Sequence, residues 1–290
     1  MELFHDTSLK TSAIVTKNYS NSFYLSTLLL DKRVKTAIHS IYGFVRFADE
    51  IVDTFHGYDK AYLLQKFETD MHEAIENKIS LNPILNSFQW AVNEYGIPMP
   101  YIDAFMNSMR MDLTKKEYLT NAETSDYIYG SANVVGLMCL KVFCKENTKL
   151  FGELVHSAEM LGSAFQKVNF LRDLQADIEL LERSYFPQFD KNKFDENLKL
   201  QLIAEIEQEF DIALEGIKRL PGRSQLAVYT AYNYYRKLLI KIKHSEASAI
   251  LKERIRISNV RKLSIMAQSA IEYKLNMIWK EKREKKTKNN

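Results

Sequence analysis

The stretch Tyr42–Asp53, YGFVRFADEIVD, sets one arginine and three acids among residues that belong in a protein core. The apolar residues in and just before it cover most directions of a helical wheel: Ala37, Ile38, Ile41, Phe44, Val45, Phe47, Ala48, Ile51 and Val52. A helix this apolar is predicted to be buried. Buried carboxylates are costly unless they pair with cations or bind a metal ion. The stretch therefore predicts a buried helix that carries a polar site.

Most polar residues of this stretch lie on one face of the predicted helix, with Glu50 off to the side. Tyr42, Arg46, Asp49 and Asp53 follow one another at offsets of 0, 4, 7 and 11 residues, which a helix arranges as a continuous stripe. The ordinary explanation is an intrahelical salt bridge from Arg46 to Asp49 or Glu50. Such a bridge still leaves acids in excess of the local cation.

A second stripe has the same character. In FQKVNFLRDLQAD, residues Gln166, Asn169, Asp173 and Asp177 lie at offsets of 0, 3, 7 and 11, with Arg172 beside them. An intrahelical bridge from Arg172 to Asp177 is less favourably placed. Because both stripes hold more acids than nearby cations, salt bridges alone do not explain the pair.

Excess carboxylates on two helices of one bundle predict a site for Mg²⁺ and a polyanionic phosphate ligand. Mg²⁺ prefers oxygen ligands and is commonly held by one or two carboxylates, with phosphate oxygens and water completing its shell. Zinc is not indicated, because the six histidines show no paired His/Cys spacing. No Walker loop or G-x-G-x-x-G motif opens a helix.

The composition predicts an all-α protein. Nine glycines and five prolines in 290 residues favour long helices over a loop-rich β architecture. No composition shift marks a boundary, so residues 1–279 are expected to form one domain and residues 280–290 a basic, disordered tail. Helix breaks are predicted at HGYDK (56–60), SLNP (80–83), YGIPMP (95–100), YGSAN (129–133), SYFPQFD (184–190) and RLPGRS (219–224).

Charge and targeting features predict a cytoplasmic protein that contacts membranes peripherally. Residues 252–290 carry twelve Lys/Arg and four acids, a net charge of +8, against +3 for the whole chain. This basic region favours anionic surfaces, although a solvated tail explains it equally well. The N-terminus lacks a secretion signal and no window approaches eighteen consecutive apolar residues. No nucleic-acid partner is expected, and Cys139 and Cys144 are predicted to be buried, reduced thiols.

At these motifs the chain resembles the squalene/phytoene synthase family, the head-to-head prenyl transferases. The resemblance covers nearly the whole length, through KNYSNSFYLSTLLL, YGFVRFADEIVD, YIYGSANVVG, QKVNFLRDLQAD and SYFP. It implies an isoprenoid synthase helical bundle around a central cavity, two prenyl diphosphates as substrates, and dependence on Mg²⁺, with Mn²⁺ as an alternative ion.

The resemblance also implies roles for individual residues. The expected metal ligands are Asp49, Asp53, Asn169, Asp173 and Asp177. The expected catalytic residues are Tyr42, Tyr129 and Arg172, although an aromatic residue on a helix is often plain core. The expected substrate-binding residues are Ser20, Ser22, Arg46, Gln166, Asn169 and Tyr235. Helix spacing, rather than the resemblance, places Thr27 four residues after Phe23 on the face that starts with Ser20. Thr27 is therefore expected to be a small residue on the cavity floor, although packing against a neighbouring helix explains it equally well.

The activity that the resemblance implies is condensation of two C20 geranylgeranyl diphosphates to phytoene, for carotenoid biosynthesis. The reaction passes through a cyclopropyl diphosphate, releases pyrophosphate and needs no NADPH. Two alternatives stay open. One is a squalene or dehydrosqualene synthase acting on C15 farnesyl diphosphate, and the other is a catalytically silent protein that binds isoprenoids or assists assembly. Chain length, product geometry and oligomeric state are left open by the sequence.

Overall fold

The computed structural model describes residues 1–145, 147–179, 183–186 and 194–288, with side chains as far as residue 275. Within these ranges the secondary structure is α-helical, with one π-helical segment and no β-strand. The helices are α1 (Glu2–Tyr19), α2 (Asn21–Thr27), α3 (Lys32–Thr54), α4 (Lys60–Asn77), α5 (Pro83–Tyr95), α6 (Met99–Thr114), α7 (Asn121–Ile128), α8 (Val134–Cys144), α9 (Thr148–Glu179), α10 (Glu196–Ile217), α11 (Gly222–His244), α12 (Ala247–Ile250) and α13 (Asn259–Lys288). The predicted all-α class is confirmed.

Local sequence signals explain several helix ends. The Asp59 carboxylate accepts a hydrogen bond from the Tyr62 amide at 3.0 Å and caps α4. Asn82 caps α5, and Pro83 stands at its first position, where a missing N–H costs nothing. Gly96 ends α5 with a φ of 59°, a conformation that glycine adopts without strain. The breaks predicted near residues 56–60, 80–83 and 95–100 are therefore found.

The break predicted at YGSAN is not found. Residues Tyr129–Asn133 form a π-helical turn that joins α7 to α8 without interruption. Its composition resembles a turn, but Gly130 packs directly on α6. A Cβ at this position would lie 2.6 Å from the Ala104 carbonyl oxygen. The glycine thus serves close helix packing rather than a chain reversal.

The two larger of three hydrophobic clusters among the described residues flank the centre of the molecule. One is built around α3, where the ring of Phe44 stacks on Phe88 with centroids 3.9 Å apart. The other is built around α9, α10 and α11 and includes Phe170 and Phe210. Residues of both cores also line a cavity between them, so the fold places apolar walls around the predicted site.

Residues Asn121–Cys144 form one stretch that is long and apolar enough to span a membrane by length and composition alone. Within this stretch, 56% of an apolar 18-residue window is buried inside the bundle. Val134 and Met138 within it are fully enclosed. The stretch packs as a central element of the fold.

The C-terminal helix α13 continues through residues 280–288, which the sequence predicts to be a disordered tail. Residues 289–290 lie outside the described residues, as do residues 187–190 of the break predicted at SYFPQFD. The division of the chain at residue 279 stays a prediction.

Candidate active site

The cavity between the two cores has a volume of about 630 Å³. Side chains from α2, α3, α6, α8, α9, α10 and α11 line it. Among the residues predicted for the site, those that line this cavity are Ser20, Tyr42, Arg46, Asp49, Asp53, Gln166, Asn169, Arg172, Asp173, Asp177 and Tyr235. The two polar stripes of the sequence therefore meet across one space.

The first wall is the polar stripe of α3. Arg46 donates to the Asp49 carboxylate at 2.5 Å and also pairs with Glu50. Its guanidinium lies 4.5 Å from the centroid of the Tyr19 ring. The intrahelical salt bridge considered from the sequence is thus present, and it accounts for two of the three acids. Asp53 instead forms an ion pair with Arg183, which lies outside α3.

Burial perturbs the acid–base groups of this wall. Burial, together with the negative charge of Asp53, raises the pKa of the Asp49 carboxyl to about 7. Burial also raises the pKa of the Tyr42 hydroxyl to about 12, so this phenol is protonated at neutral pH. The Tyr42 ring stacks on Phe23 at a centroid distance of 5.0 Å. The wall therefore presents neutral aromatic surface beside crowded acids.

The second wall is the polar stripe of α9. The Tyr235 hydroxyl donates to Asn169 Oδ1 at 3.2 Å, and Asn169 Nδ2 donates to Gln166 Oε1 at 3.4 Å. The Tyr235 ring stacks on Phe165 with centroids 3.9 Å apart. These contacts fix the amide groups of the stripe toward the cavity.

The acids of the second wall differ in their partners. Arg172 Nε donates to Asp173 Oδ1 at 3.0 Å, and Arg254 Nε lies 2.6 Å from the same oxygen. Asp177 makes no ion pair with a described cation. Burial, reinforced by the charge of Asp173, raises the pKa of the Asp177 carboxyl to about 7. One carboxylate of this wall is thus neutralised by arginines and the other is not.

A buried arginine that the motifs do not include joins the two walls. Arg183 Nη1 donates to Asp53 Oδ1 at 2.9 Å, and Nη2 donates to the Asp112 carbonyl oxygen at 2.8 Å. Its main-chain N–H donates to the Asp177 carbonyl oxygen at 2.8 Å. Tyr185 lies beside it, within 3.4 Å of Nη1. Arg183 therefore connects α3, α6 and the end of α9 at a single point.

Asp112 is a further cavity residue that sequence reasoning missed. Its carboxylate accepts a hydrogen bond from the Tyr127 hydroxyl at 2.9 Å, and Oδ1 lies 3.7 Å from Arg183 Nη1. Oδ1 has no hydrogen-bond partner among the described residues. Burial raises the pKa of this carboxyl to about 7. The sequence contained one signal for it, because Asp112 follows Phe105 by seven residues and Met109 by three and so lies on the apolar face of the helix.

The structure places Tyr129 outside the cavity, and its catalytic role stays a prediction. Tyr129 is 40% exposed and does not line the cavity, whereas Tyr127, two residues earlier, is 4% exposed and does. Residues two apart point to different sides of a helix, so both cannot face the cavity. Tyr127 occupies the place that Tyr129 was expected to take. Ser22 also lies outside this cavity and lines a neighbouring one.

The neighbouring space, which we call the basic chamber, adjoins the polar end of the main cavity. The two share Tyr19, Ser20, Arg172 and Arg254. Its described lining contains no carboxylate. The cationic side chains that line it are Arg172, Lys237, Lys241, Arg254, Arg256, Arg261 and Lys262. Such a surface attracts anions, including phosphate groups.

The other end of the main cavity is apolar and is built from small residues. Ala158, Gly162, Ala213 and Gly216 line it together with leucine and isoleucine side chains. Thr27 lines the cavity as expected, and its hydroxyl donates to the Tyr24 carbonyl oxygen and bonds to His39 Nε2 at 2.8 Å. A ligand whose polar head group binds at the acidic walls would thus place its apolar chain in this end of the cavity.

The two walls offer carboxylate and amide oxygens, the kind of ligand that Mg²⁺ prefers. No three His, Cys, Asp or Glu side chains of the described residues lie together closely enough to hold a metal ion by themselves. The acids stand instead on two walls, where repulsion contributes to the raised pKa values of Asp49 and Asp177. This arrangement fits Mg²⁺ or Mn²⁺ that is held by one or two carboxylates and completed by diphosphate oxygens. The ligand set stays a prediction: Asp49, Asp53, Asn169, Asp173 and Asp177.

Comparison with known proteins decides the family. The sequence model of the squalene/phytoene synthase family matches residues 16–261, which include both acidic stripes. The chain belongs to the squalene/phytoene synthase family. Members of the squalene/phytoene synthase family are prenyltransferases.

Among curated relatives, the chain is similar to the chloroplastic phytoene synthase of Daucus carota, with 28% identity over 252 residues, 80% of this chain and 62% of that protein. It is 26% identical to the phytoene synthase of Pseudescherichia vulneris over 256 residues, 80% of this chain and 81% of the relative. The chain thus spans less than two thirds of the plant relative's length.

Solved structures of squalene/phytoene synthase family enzymes share the fold. A dehydrosqualene synthase solved with a ligand superposes with a TM-score of 0.81 at 22% identity, covering 93% of this chain and 98% of the other. The squalene synthase HpnC from Alicyclobacillus acidocaldarius gives a TM-score of 0.73 at 19% identity, covering 82% and 94%. At these identities the likeness concerns the fold, and it confirms the predicted isoprenoid synthase bundle.

Proposed function

We propose that this protein is a phytoene synthase, which joins two C20 geranylgeranyl diphosphates head to head and releases two pyrophosphates. The observation that carries the proposal is the pair of acidic helix stripes, on α3 and α9, facing one cavity whose other end is apolar. A prenyl diphosphate has the matching division into an anionic head and a long apolar chain. Phytoene synthase relatives over about four fifths of the chain support the choice of product.

The first task of such an enzyme is to stabilise the leaving diphosphate. Arg46 and Arg172 stand at the polar end of the cavity, where a planar guanidinium can donate two parallel hydrogen bonds to phosphate oxygens. The Ser20 hydroxyl lies at the same end. Bound at the carboxylates of both walls, Mg²⁺ would supply Lewis-acid stabilisation of the diphosphate charge.

The second task is to protect a carbocation from water. The allylic cation left by the first ionisation is attacked by the double bond of the second prenyl chain, and loss of a proton gives a cyclopropyl diphosphate. A second ionisation and rearrangement, followed by loss of a second proton, give the hydrocarbon. Phe165, Tyr42 and Tyr127 line the cavity, and aromatic rings near a carbocation stabilise it. The apolar lining excludes the water that would trap the cation as an alcohol.

The substrate assignment is tested with purified protein and Mg²⁺, supplied with geranylgeranyl or farnesyl diphosphate in the presence and absence of NADPH. We expect a C40 hydrocarbon, formed at the same rate with and without NADPH. Preferential turnover of farnesyl diphosphate to a C30 hydrocarbon would replace the C20 assignment with the C15 one. Binding of either substrate without turnover would favour the silent isoprenoid-binding alternative.

We also propose a cytoplasmic location with peripheral membrane contact through the basic C-terminal region. The substrates and the product of the proposed reaction are lipids, and residues 252–290 carry a net charge of +8. NADPH is not required for the proposed product.

A further inference from the structure

One face of α13 is firmly seated on α11. Ile265 and Ser269 of α13 are buried there. Asn233 Nδ2 donates to Ser269 Oγ at 2.9 Å, and the Tyr229 hydroxyl donates to Glu272 Oε2 at 2.8 Å. These contacts fix the rotation of α13 about its axis, and with it the residues that face outward.

The outward face of α13 carries an apolar stripe, with the exposed polar residues Ser264 and Lys274 beside it. Val260 is 80% exposed, Leu263 51%, Ile271 60% and Leu275 50%. Ala267, which lies between them on the same face, is also exposed. Spacings of three and four residues place all five side chains in one stripe. A surface helix normally presents polar residues on the face opposite its buried side, so this stripe marks an interaction surface.

Cations flank the N-terminal end of the stripe. Arg261 and Lys262 of α13 line the basic chamber together with Lys237 and Lys241 of α11. No carboxylate lies among the described residues of that chamber. In sequence, the stripe is followed by residues 276–290, which contain six Lys/Arg and two acids.

We propose that the outward face of α13 docks on a bilayer that contains anionic lipid, with the apolar stripe among the acyl chains and the flanking cations at the headgroups. An exposed apolar face with basic residues beside it is the pattern of helices that lie in the membrane interface. Charge complementarity favours anionic lipid over a second copy of this chain as the occupant of the stripe. A two-fold symmetric pairing of two copies through α13 would bring two carboxylate-free basic chambers together.

Docking in this way sets the orientation of the cavity, a consequence that rests on the proposed function. The basic chamber shares Arg172, Arg254, Tyr19 and Ser20 with the main cavity. A bilayer against α13 therefore lies next to the polar end of the main cavity, where the two spaces meet. Prenyl chains would enter from lipid, and the hydrocarbon product would leave into it.

The test is sedimentation of the full chain with vesicles of phosphatidylcholine alone, or mixed with phosphatidylglycerol, at low and high salt. The variant Leu263→Gln/Ile271→Gln removes the apolar stripe while keeping residues that favour a helix. Leu200→Gln/Ile212→Gln is the matched control, because both of these α10 residues are 40% exposed. Arg256→Gln/Arg261→Gln tests the charge.

We expect the wild type and the α10 control to bind mixed vesicles at low salt, and the stripe variant to bind roughly tenfold more weakly. The charge variant should bind mixed vesicles more weakly at low salt and show a smaller difference between low and high salt, because it removes two of the cations that face the headgroups. Full binding by the stripe variant would overturn the proposal. So would a wild-type dimer that the stripe variant converts to a monomer, because the face would then belong to a second copy.

Hydrocarbon synthesis from detergent-dispersed substrate separates this inference from the proposed function. Product from the wild type together with absent vesicle binding rejects the docking surface alone. Vesicle binding that depends on the stripe, without any product, supports the docking surface and rejects the synthase assignment. The stripe variant should retain wild-type turnover in detergent, because neither Leu263 nor Ile271 lines the cavity.

Discussion

At the scale of single residues, the site is organised by charges that the sequence places far apart. Arg183 bonds Asp53, 130 residues away in the chain, and the main chain of Asp112, 71 residues away. No local spacing rule reaches such distances, and for this reason Arg183 and Asp112 were not predicted. The two stripes were predicted, because a helix brings residues three and four apart onto one face.

The aspartates of the two walls are expected to be essential for turnover. Asp49→Asn or Asp173→Asn should lower kcat by at least about 10²-fold, because a group that supports the leaving diphosphate acts mainly in the transition state. Steady-state kinetics with circular dichroism measure turnover and folding together. Asp103→Asn, an exposed aspartate of α6, is the control. Full activity in either wall variant would contradict the assignment, and loss of folding in both would indicate a structural role.

Asp112 is expected to make stability depend on pH. Burial raises the pKa of this carboxyl from 3.8 to about 7, so between these values the native protein holds a proton that the unfolded chain has released. The free energy of unfolding should therefore fall as the pH rises through this window, by at most about 1.4 kcal/mol per pH unit for one group. Asp112→Asn should reduce that slope.

Urea unfolding at several pH values, with a chelator present, measures the contribution of Asp112. Burial raises the pKa values of Asp49 and Asp177 in the same direction, so part of the slope should remain in the variant. Asp103→Asn should leave the slope unchanged. A wild-type slope in Asp112→Asn would show that Asp112 titrates in its ordinary range.

At the scale of secondary structure, the π-helical turn Tyr129–Asn133 joins α7 to α8 next to Tyr127, which lines the cavity. Its sequence, YGSAN, has the composition of a turn, yet packing of Gly130 against α6 keeps the chain helical. Tertiary packing overrides local preference here. The sequence could not show this, because the contact joins residues about 26 apart on different helices.

Tyr127→Phe and Tyr129→Phe distinguish the two tyrosines. The Tyr127 hydroxyl bonds Asp112, so its removal should destabilise the fold by about 1–3 kcal/mol and lower kcat roughly tenfold, because the Asp112–Arg183 contact that helps to position the two walls loses a partner. Tyr129→Phe should change neither quantity measurably, since this side chain is 40% exposed. Thermal unfolding and product formation are the measurements. The reverse ranking of the two variants would restore Tyr129 as the functional residue.

The short helix α2 is expected to limit substrate length through Thr27. This residue lines the cavity and is 2% exposed, so Thr27→Phe should close space and shift the ratio of kcat/KM from C20 toward C15 substrate. Each CH₂ excluded costs about 0.8 kcal/mol of burial. Thr27→Val is the control, because it removes the hydroxyl bond to His39 without adding bulk. An unchanged C20/C15 ratio in a folded Thr27→Phe protein would exclude Thr27 as the ruler.

At the scale of the whole molecule, the cavity exists because two separate hydrophobic cores leave a space between them. The helical class, most of the breaks and the two polar stripes followed from sequence periodicity. The fifth aspartate of the cavity, Asp112, the linking Arg183 and the basic chamber did not, because their partners lie on elements that meet only in the folded chain.

The most direct test of the proposed head-to-head synthesis is the ratio of pyrophosphate released to hydrocarbon formed by the purified protein with Mg²⁺ and geranylgeranyl diphosphate. Condensation through the two walls predicts two pyrophosphates for every C40 hydrocarbon, with no prenyl alcohol. One prenyl alcohol for every pyrophosphate, and no hydrocarbon, would contradict the account, because water rather than a second prenyl chain would then be capturing the cation.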